Sequence, residues 1–202
     1  MATRRSDVVM GALRPKHPHF IVGIGGSAGG LNAYTALLDA LPSSTGMAFV
    51  LVAHMLPSAQ SQLAEILSRH TIMPVLVAST AMTIRANHVY VIPPNADLLI
   101  AGHTFTVVSP RTRGNTQVDI LLVSLAEALG VRAIGVILSG YGSDGAEGCK
   151  YMKGKGGTTF AQDRSAAVSG MPLSAQASGC IDFVLPPDKI SEELAKIGAR
   201  EA

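Results

Sequence analysis

Short apolar runs alternate with stretches of helical periodicity along most of the chain. Phe20-Ile21-Val22-Gly23-Ile24 and residues 47–53 are apolar runs of strand length, and residues 31–41 between them carry a helical pattern stopped by Pro42. A second helix is predicted over 61–69, where Leu63, Ile66 and Leu67 share one face, followed by a strand over 74–78. Beyond residue 117 the alternation is regular. Helix 117–129 repeats Leu121, Leu122, Leu125 and Leu129 at helical spacing, and strand 133–138 is the most hydrophobic run of all. Helix 146–152, strand 158–161, helix 172–177, strand 181–185 and helix 191–197 complete the chain. Strands spaced by helices are the signature of βαβ units and a parallel sheet.

Between 87 and 108 the pattern changes. Runs 88–92, 97–101 and 104–108 are separated only by Pro93-Pro94-Asn95 and Gly102-His103, which predicts a short antiparallel meander in or beside the sheet. The whole therefore reads as a doubly wound α/β domain over 19–202, mostly parallel, with helices on both faces and a flexible N-terminal arm over 1–18.

Composition narrows the function classes. The chain has 202 residues, 48% hydrophobic and only 4% aromatic with no Trp, which suits a sheet of small branched side chains rather than an aromatic-rich sandwich. A formal charge of +2, without basic runs interleaved with aromatics, argues against nucleic acid. No apolar stretch approaches the roughly 20 residues of a membrane helix. The basic first residues lack the apolar core of a secretory signal, so a cytoplasmic protein without membrane insertion is expected. Cys149 and Cys180 have no CxxC neighbour, and the histidines form no HExxH or i, i+4 pair; neither a metal nor another cofactor is expected.

The chemistry concentrates in Gly25-Gly26-Ser27-Ala28-Gly29-Gly30, between the first strand and its helix. Gly23-x-Gly25-x-x-Ala28 fits a loose dinucleotide fingerprint, but the acidic residue expected some 20 positions on is replaced by Ala53 and His54. Gly25 and Gly30 have P-loop spacing, yet Leu31 and Asn32 stand where Lys and Ser or Thr are required. Gly25-Gly26-Ser27-Ala28-Gly29 satisfies the nucleophile elbow G-x-S-x-G in its strand-to-helix context. Ser27 as a plain helix cap is the competing reading.

A serine hydroxyl needs a base, and the base an acid to orient it. His54 follows the second strand, and Asp144 lies in Ser139-Gly140-Tyr141-Gly142-Ser143-Asp144-Gly145 after the strand 133–138. All three leave carboxyl ends of predicted parallel strands, where open α/β sheets build their sites. Against this, His54 reads as a packed histidine, Asp144 as a turn or cap carboxylate, and Asp163 as a rival acid.

With these residues in view, the sequence resembles the catalytic domain of the chemotaxis receptor protein-glutamate methylesterases, the CheB family. The resemblance runs from about His19 to Ile190. It is carried by Ile21-Val22-Gly23-Ile24-Gly25-Gly26-Ser27-Ala28-Gly29-Gly30, Val52-Ala53-His54-Met55, Val89-Tyr90-Val91-Ile92-Pro93-Pro94, Gly135-Val136-Ile137-Leu138-Ser139-Gly140, Gly142-Ser143-Asp144-Gly145-Ala146 and Phe160-Ala161-Gln162-Asp163. Gly170-Met171-Pro172 and Ile181-Asp182-Phe183-Val184-Leu185-Pro186 close the series.

The resemblance implies a catalytic triad of Ser27, His54 and Asp144, hydrolysis of receptor glutamyl methyl esters through an acyl-enzyme on Ser27, and the related deamidation of receptor glutamine. Backbone N–H groups of Ala28 and Tyr141 are the candidate oxyanion donors. A methylated receptor is the implied partner, with a methyltransferase or other sensory protein acting in trans beside it. The competing functions are a docking module without catalysis and a small-molecule esterase on the same scaffold.

Three departures mark the sequence. Ala28 and Tyr141 stand where the family usually has Thr and Met, and Gly114-Asn115-Thr116-Gln117 replaces a His-Arg-Pro context before Val118-Asp119. Typical members also begin with a phosphoacceptor receiver domain, for which residues 1–18 are too short. The expectation is activity that phosphoryl donors leave unchanged.

Overall fold

The computed structural model describes residues 17–54, 57–112 and 114–200; the expected arm lies outside the described residues up to 16. In chain order the elements are β1 (Ile21–Gly26), α1 (Gly30–Ala40), β2 (Ala48–Ala53), α2 (Pro57–Leu67), β3 (Val75–Val77), β4 (His88–Val91), β5 (Asp97–Ala101) and β6 (Thr104–Val108). There follow α3 (Gln117–Leu129), β7 (Ala133–Ile137), α4 (Ala146–Gly154), β8 (Thr158–Gln162), α5 (Gly170–Ala177), β9 (Phe183–Leu185) and α6 (Pro187–Ala199). Seven strands form one sheet in the order β3-β4-β2-β1-β7-β8-β9, with every pairing parallel.

The expected meander resolves into two parts. The run at 88–92 supplies β4, which enters the parallel sheet between β3 and β2, and only β5 and β6 form an antiparallel pair. Val89, Tyr90 and Val91 are all buried, as a strand covered on both faces must be, so the continuous apolar run was the mark of an inner parallel strand.

Two cores lie on opposite faces of the sheet. Val22 and Ile24 point toward α1, α2 and α6, where Leu37, Leu38, Leu63, Leu67, Ile190 and Leu194 pack. Ile21, Val50 and Val52 point toward α3 and the β5–β6 pair, with Cys149 and Met152 of α4 and Met171 and Ala175 of α5 in the same cluster. Leu121, Leu122 and Leu125 of α3 are fully buried, worth about 1.5–3 kcal/mol each in transfer terms.

Alternation along β1 places Gly23 and Gly25 beneath α3. A Cβ on Gly25 would lie 2.3 Å from Val118 Cγ1, and one on Gly23 would lie 2.8 Å from Leu122 Cδ2. The missing side chains let α3 settle directly on the sheet. Its first turn consequently lies over the carboxyl end of β1, beside the turn that follows β7.

Candidate active site

β1 lies between β2 and β7: the chain builds β2 to β4 on one side of it and crosses back to build β7 to β9 on the other, so the carboxyl end of β1 is a topological switch point. The parallel ladder runs past the strand ends into the candidate residues. Ser27 N–H donates to Ser139 O at 2.9 Å, His54 N–H to Gly26 O at 3.1 Å, and Leu138 N–H to Gly25 O at 2.8 Å. Three turns are thereby tied into one edge.

The turn after β7 presses onto Ser27. A Cβ at Gly140 would stand 2.9 Å from Ser27 Cβ and 2.3 Å from Met171 Sδ, so only glycine permits this approach. The turn is anchored from below by Ser139 and Gln162. Ser139 N–H donates to Gln162 Oε1 at 2.9 Å, while Ser139 Oγ donates to Ala28 O at 2.8 Å and accepts from Val168 N–H at 3.0 Å.

Ser27 does not cap α1. The cap position is Gly29, in a left-handed conformation with no side-chain cap bond. Ser27 Oγ instead makes one long contact, 3.5 Å to the His54 carbonyl oxygen. The hydroxyl is half-buried and turned toward the His54 residue rather than its ring.

His54 and Asp144 meet. Nε2 of His54 lies 2.7 Å from Asp144 Oδ2, with the two side chains 10% and 2% exposed. The distance is that of an ion pair, but Nε2 has no well-aligned hydrogen bond, so direction and not separation is what the contact lacks. Apo sites commonly show such loosely aligned catalytic contacts. Asp163, the rival acid, is engaged elsewhere: its Oδ1 accepts Ser165 N–H at 3.0 Å.

Asp144 is held by the start of α3. Val118 N–H donates to its Oδ2 and Asp119 N–H to its Oδ1, each at 2.9 Å. Free N–H groups and the positive end of the helix dipole together stabilise a carboxylate there. Thr116, the residue at the cap position, makes no side-chain cap bond, so Asp144 replaces it from a distant part of the chain.

Two residues of this site were not singled out from the sequence. Gln162 fixes the Ser139 turn, and Asp119 of α3 accepts Gly145 N–H at 2.9 Å and Gly148 N–H at 2.7 Å. Burial first, and then the adjacent Asp144 carboxylate, raise the Asp119 carboxyl above its ordinary range against the pull of those N–H groups. Thr116-x-x-Asp119 has the form of a capping box and could have marked the place, although the carboxylate serves another helix.

Ala28 follows Ser27 and Tyr141 follows Gly140, which packs on Ser27, and among the described residues neither backbone N–H donates a hydrogen bond. The Tyr141 side chain is 71% exposed. Among the described residues no group of three or more His, Cys, Asp or Glu gathers at metal-binding distance, and no helix is long and apolar enough to cross a membrane.

Fold and edge together define a doubly wound α/β protein with a serine, a histidine and a buried aspartate gathered at its switch point. Residues 22–194 match the family model described as CheB methylesterase. The chain belongs to the CheB methylesterase family. It is 38% identical over 178 residues to a Burkholderia orbicola protein named protein-glutamate methylesterase/protein-glutamine glutaminase 3, covering 86% of this chain and 52% of that one. A Leptospira interrogans protein provisionally given the same name is 35% identical over 173 residues, covering 84% of this chain and 90% of that one. The crystal structure of the Thermotoga maritima CheB methylesterase catalytic domain superposes with a TM-score of 0.81 at 31% identity, covering 88% of this chain and 98% of that one. The chain spans about half the length of the Burkholderia relatives it matches.

Proposed function

We propose that this chain, through one catalytic unit over 19–202, hydrolyses glutamyl methyl esters of a chemotaxis or other sensory receptor, with Ser27 as nucleophile, His54 as base and Asp144 as the acid that orients it. The observation that carries the reading is the meeting of His54 with buried Asp144 at 2.7 Å, on the edge where Ser27 leaves β1. The relatives' names supply the substrate class.

In this reading the His54 ring turns slightly so that its Nε2 proton meets Asp144, which leaves Nδ1 as the base. Ser27 rotates from its long contact with the His54 carbonyl, attacks the ester carbon and gives its proton to Nδ1. Collapse of the tetrahedral intermediate expels methanol, which takes that proton. Water then attacks the acyl-enzyme, again through His54, and releases glutamate. Glutamine follows the same path with ammonia as the leaving group. The oxyanion is received by Ala28 and Tyr141 N–H, each donor worth about 2.7–4 kcal/mol in related acyl transfer.

The partners follow from the substrate: a methylated receptor in the cytoplasm and a methyltransferase that restores the ester. The test is release of methanol from methyl-labelled receptor membranes by wild type and Ser27→Ala. Release by the wild type alone is expected. Equal release by both, or by neither, rejects the assignment.

A further inference from the structure

Asp119 and Asp144 stand at the starts of neighbouring helices, and each serves the helix of the other. Asp144, just before α4, accepts Val118 and Asp119 N–H at the start of α3. Asp119, in the first turn of α3, accepts Gly145 and Gly148 N–H at the start of α4. The two carboxyls are neighbours, and the charge of Asp144 helps to raise the Asp119 carboxyl. Neither helix makes a side-chain cap bond from its own cap residue.

This crossed pairing costs the molecule something. Two carboxylates close together in a half-buried place repel, and apolar or amide side chains would avoid the repulsion. Asp144 is accounted for by His54, 2.7 Å from its Oδ2. Among the described residues Asp119 has no such cationic or imidazole partner. What it does reach is the backbone on the far side of Asp144, at Gly145 and Gly148, so it closes the loop that carries the acid.

We propose that Asp119 is a positioning residue for the Asp144–His54 pair, fixing the Asp144 loop through Gly145 and Gly148 and adding its negative charge to the field in which His54 gains a proton. The proposal rests on the hydrolase reading of Ser27, His54 and Asp144. Its electrostatic part depends on few other groups. From α4, the Cys149 thiol is pushed up to about 12 by burial and by Asp119 and Cys180, so it stays neutral. Glu147 in the same turn is exposed and paired with Lys150. From β5, Asp97 accepts Thr112 N–H and Oγ1 at 2.7 Å and is thereby committed to a different loop. Among the described residues Asp144 is the carboxylate next to Asp119, and through it Asp119 acts on His54, 2.7 Å from Asp144 Oδ2.

The experiment compares wild type, Asp119→Asn and Asp119→Ala by two readouts across pH: kcat and KM for methanol release, and the rate at which a fluorophosphonate labels Ser27. Asn keeps an oxygen for the two N–H groups but loses the charge. Its acid limb, in kcat/KM and in labelling, is expected to move to lower pH by about half a unit, since removing one nearby negative charge weakens the pull on the imidazolium proton. KM should hold. Ala also loses the two hydrogen bonds, and kcat should fall at least tenfold, with Asn recovering most of it.

Limbs that do not move in Asp119→Asn overturn the proposal, as does an equal loss in both variants at unchanged limb position, which is what a merely structural residue would give. The two readouts separate this failure from failure of the substrate assignment. Wild type that is labelled at Ser27 without releasing methanol refutes the receptor ester, while the labelling profile still decides on Asp119. Wild type that is not labelled refutes both.

Discussion

The two halves of the site are built to opposite rules. Asp144 is 2% exposed at its side chain, receives two backbone N–H groups at 2.9 Å, and sits in a loop closed by Asp119. Ser27 is half-buried, makes no side-chain cap bond to the helix behind it, and has only a 3.5 Å contact for its hydroxyl. A buried charge must be satisfied from several directions or it is not held, whereas a nucleophile must be free to turn from rest to attack. The acid half is therefore structural and electrostatic at once, and the serine half is chemical only. Mutations should divide along that line.

The largest effect belongs to Ser27. Ser27→Ala should lower turnover on the order of 10⁴-fold or more, because in the proposed mechanism the Ser27 hydroxyl carries the acyl group. Its unfolding midpoint should match the wild type closely, since the side chain supports no helix and no core. A substantial loss of thermal stability would break the contrast between the halves.

Asp144→Asn should reduce kcat by roughly 10³–10⁴-fold. Unlike the serine variant, it should also cost stability, about 1–2 kcal/mol, because an amide holds the two N–H groups of α3 less well than a carboxylate. At 2–4 °C per kcal/mol for a chain of this size, the loss is about 2–8 °C in a thermal melt. Asp163→Asn is the control and should leave turnover near wild type, its oxygen bonding only Ser165 N–H.

Glycine substitutions sharpen the same boundary. Gly140→Ala drives a Cβ to 2.9 Å from Ser27 and 2.3 Å from Met171 Sδ, so it should cut activity at least tenfold by displacing the nucleophile. Gly142→Ala, two residues on, meets nothing within 4 Å and bears only the strain of φ +82°, about 1–2 kcal/mol. Both variants should therefore melt below wild type, but only Gly140→Ala should lose activity as well.

Much of this was legible in the sequence. The strand-helix alternation, the turn at Ser27 and the strand-end positions of His54 and Asp144 follow from local patterns, because each residue's place is fixed by the run that precedes it. Three things were not. β4 reads as part of a meander because the two strands after it form an antiparallel hairpin, whereas its own place is decided by parallel pairing with β2 and β3. Asp119 is not legible locally because its hydrogen bonds reach 26 and 29 residues along the chain. Gln162 escaped for the same reason, reaching back 23 residues to Ser139. Local periodicity cannot report a bond whose other end lies on another helix.

The smallest effect separates two carboxylates by the sign of their pH dependence. Burial and Asp144 raise the Asp119 carboxyl, so the folded chain binds its proton more readily than the unfolded chain does. The contribution of such a group is fully present below its unfolded value and declines as pH rises through the folded one. Asp182 is the reverse. Burial alone would raise it, but the Lys153 ammonium and the Thr159 N–H outweigh burial and lower it, so its contribution is present above the ordinary carboxylate range and lost in acid. Urea unfolding from pH 3 to 7 should therefore show Asp119→Asn gaining on wild type as pH rises, and Asp182→Asn losing ground over the same range. Each difference should stay within about 1 kcal/mol, because both carboxylates are partly solvated and water screens them. Parallel slopes for the two variants would mean that neither burial nor Asp144 raises the Asp119 carboxyl, and would remove the electrostatic ground for treating the acid half of the site as a coupled pair.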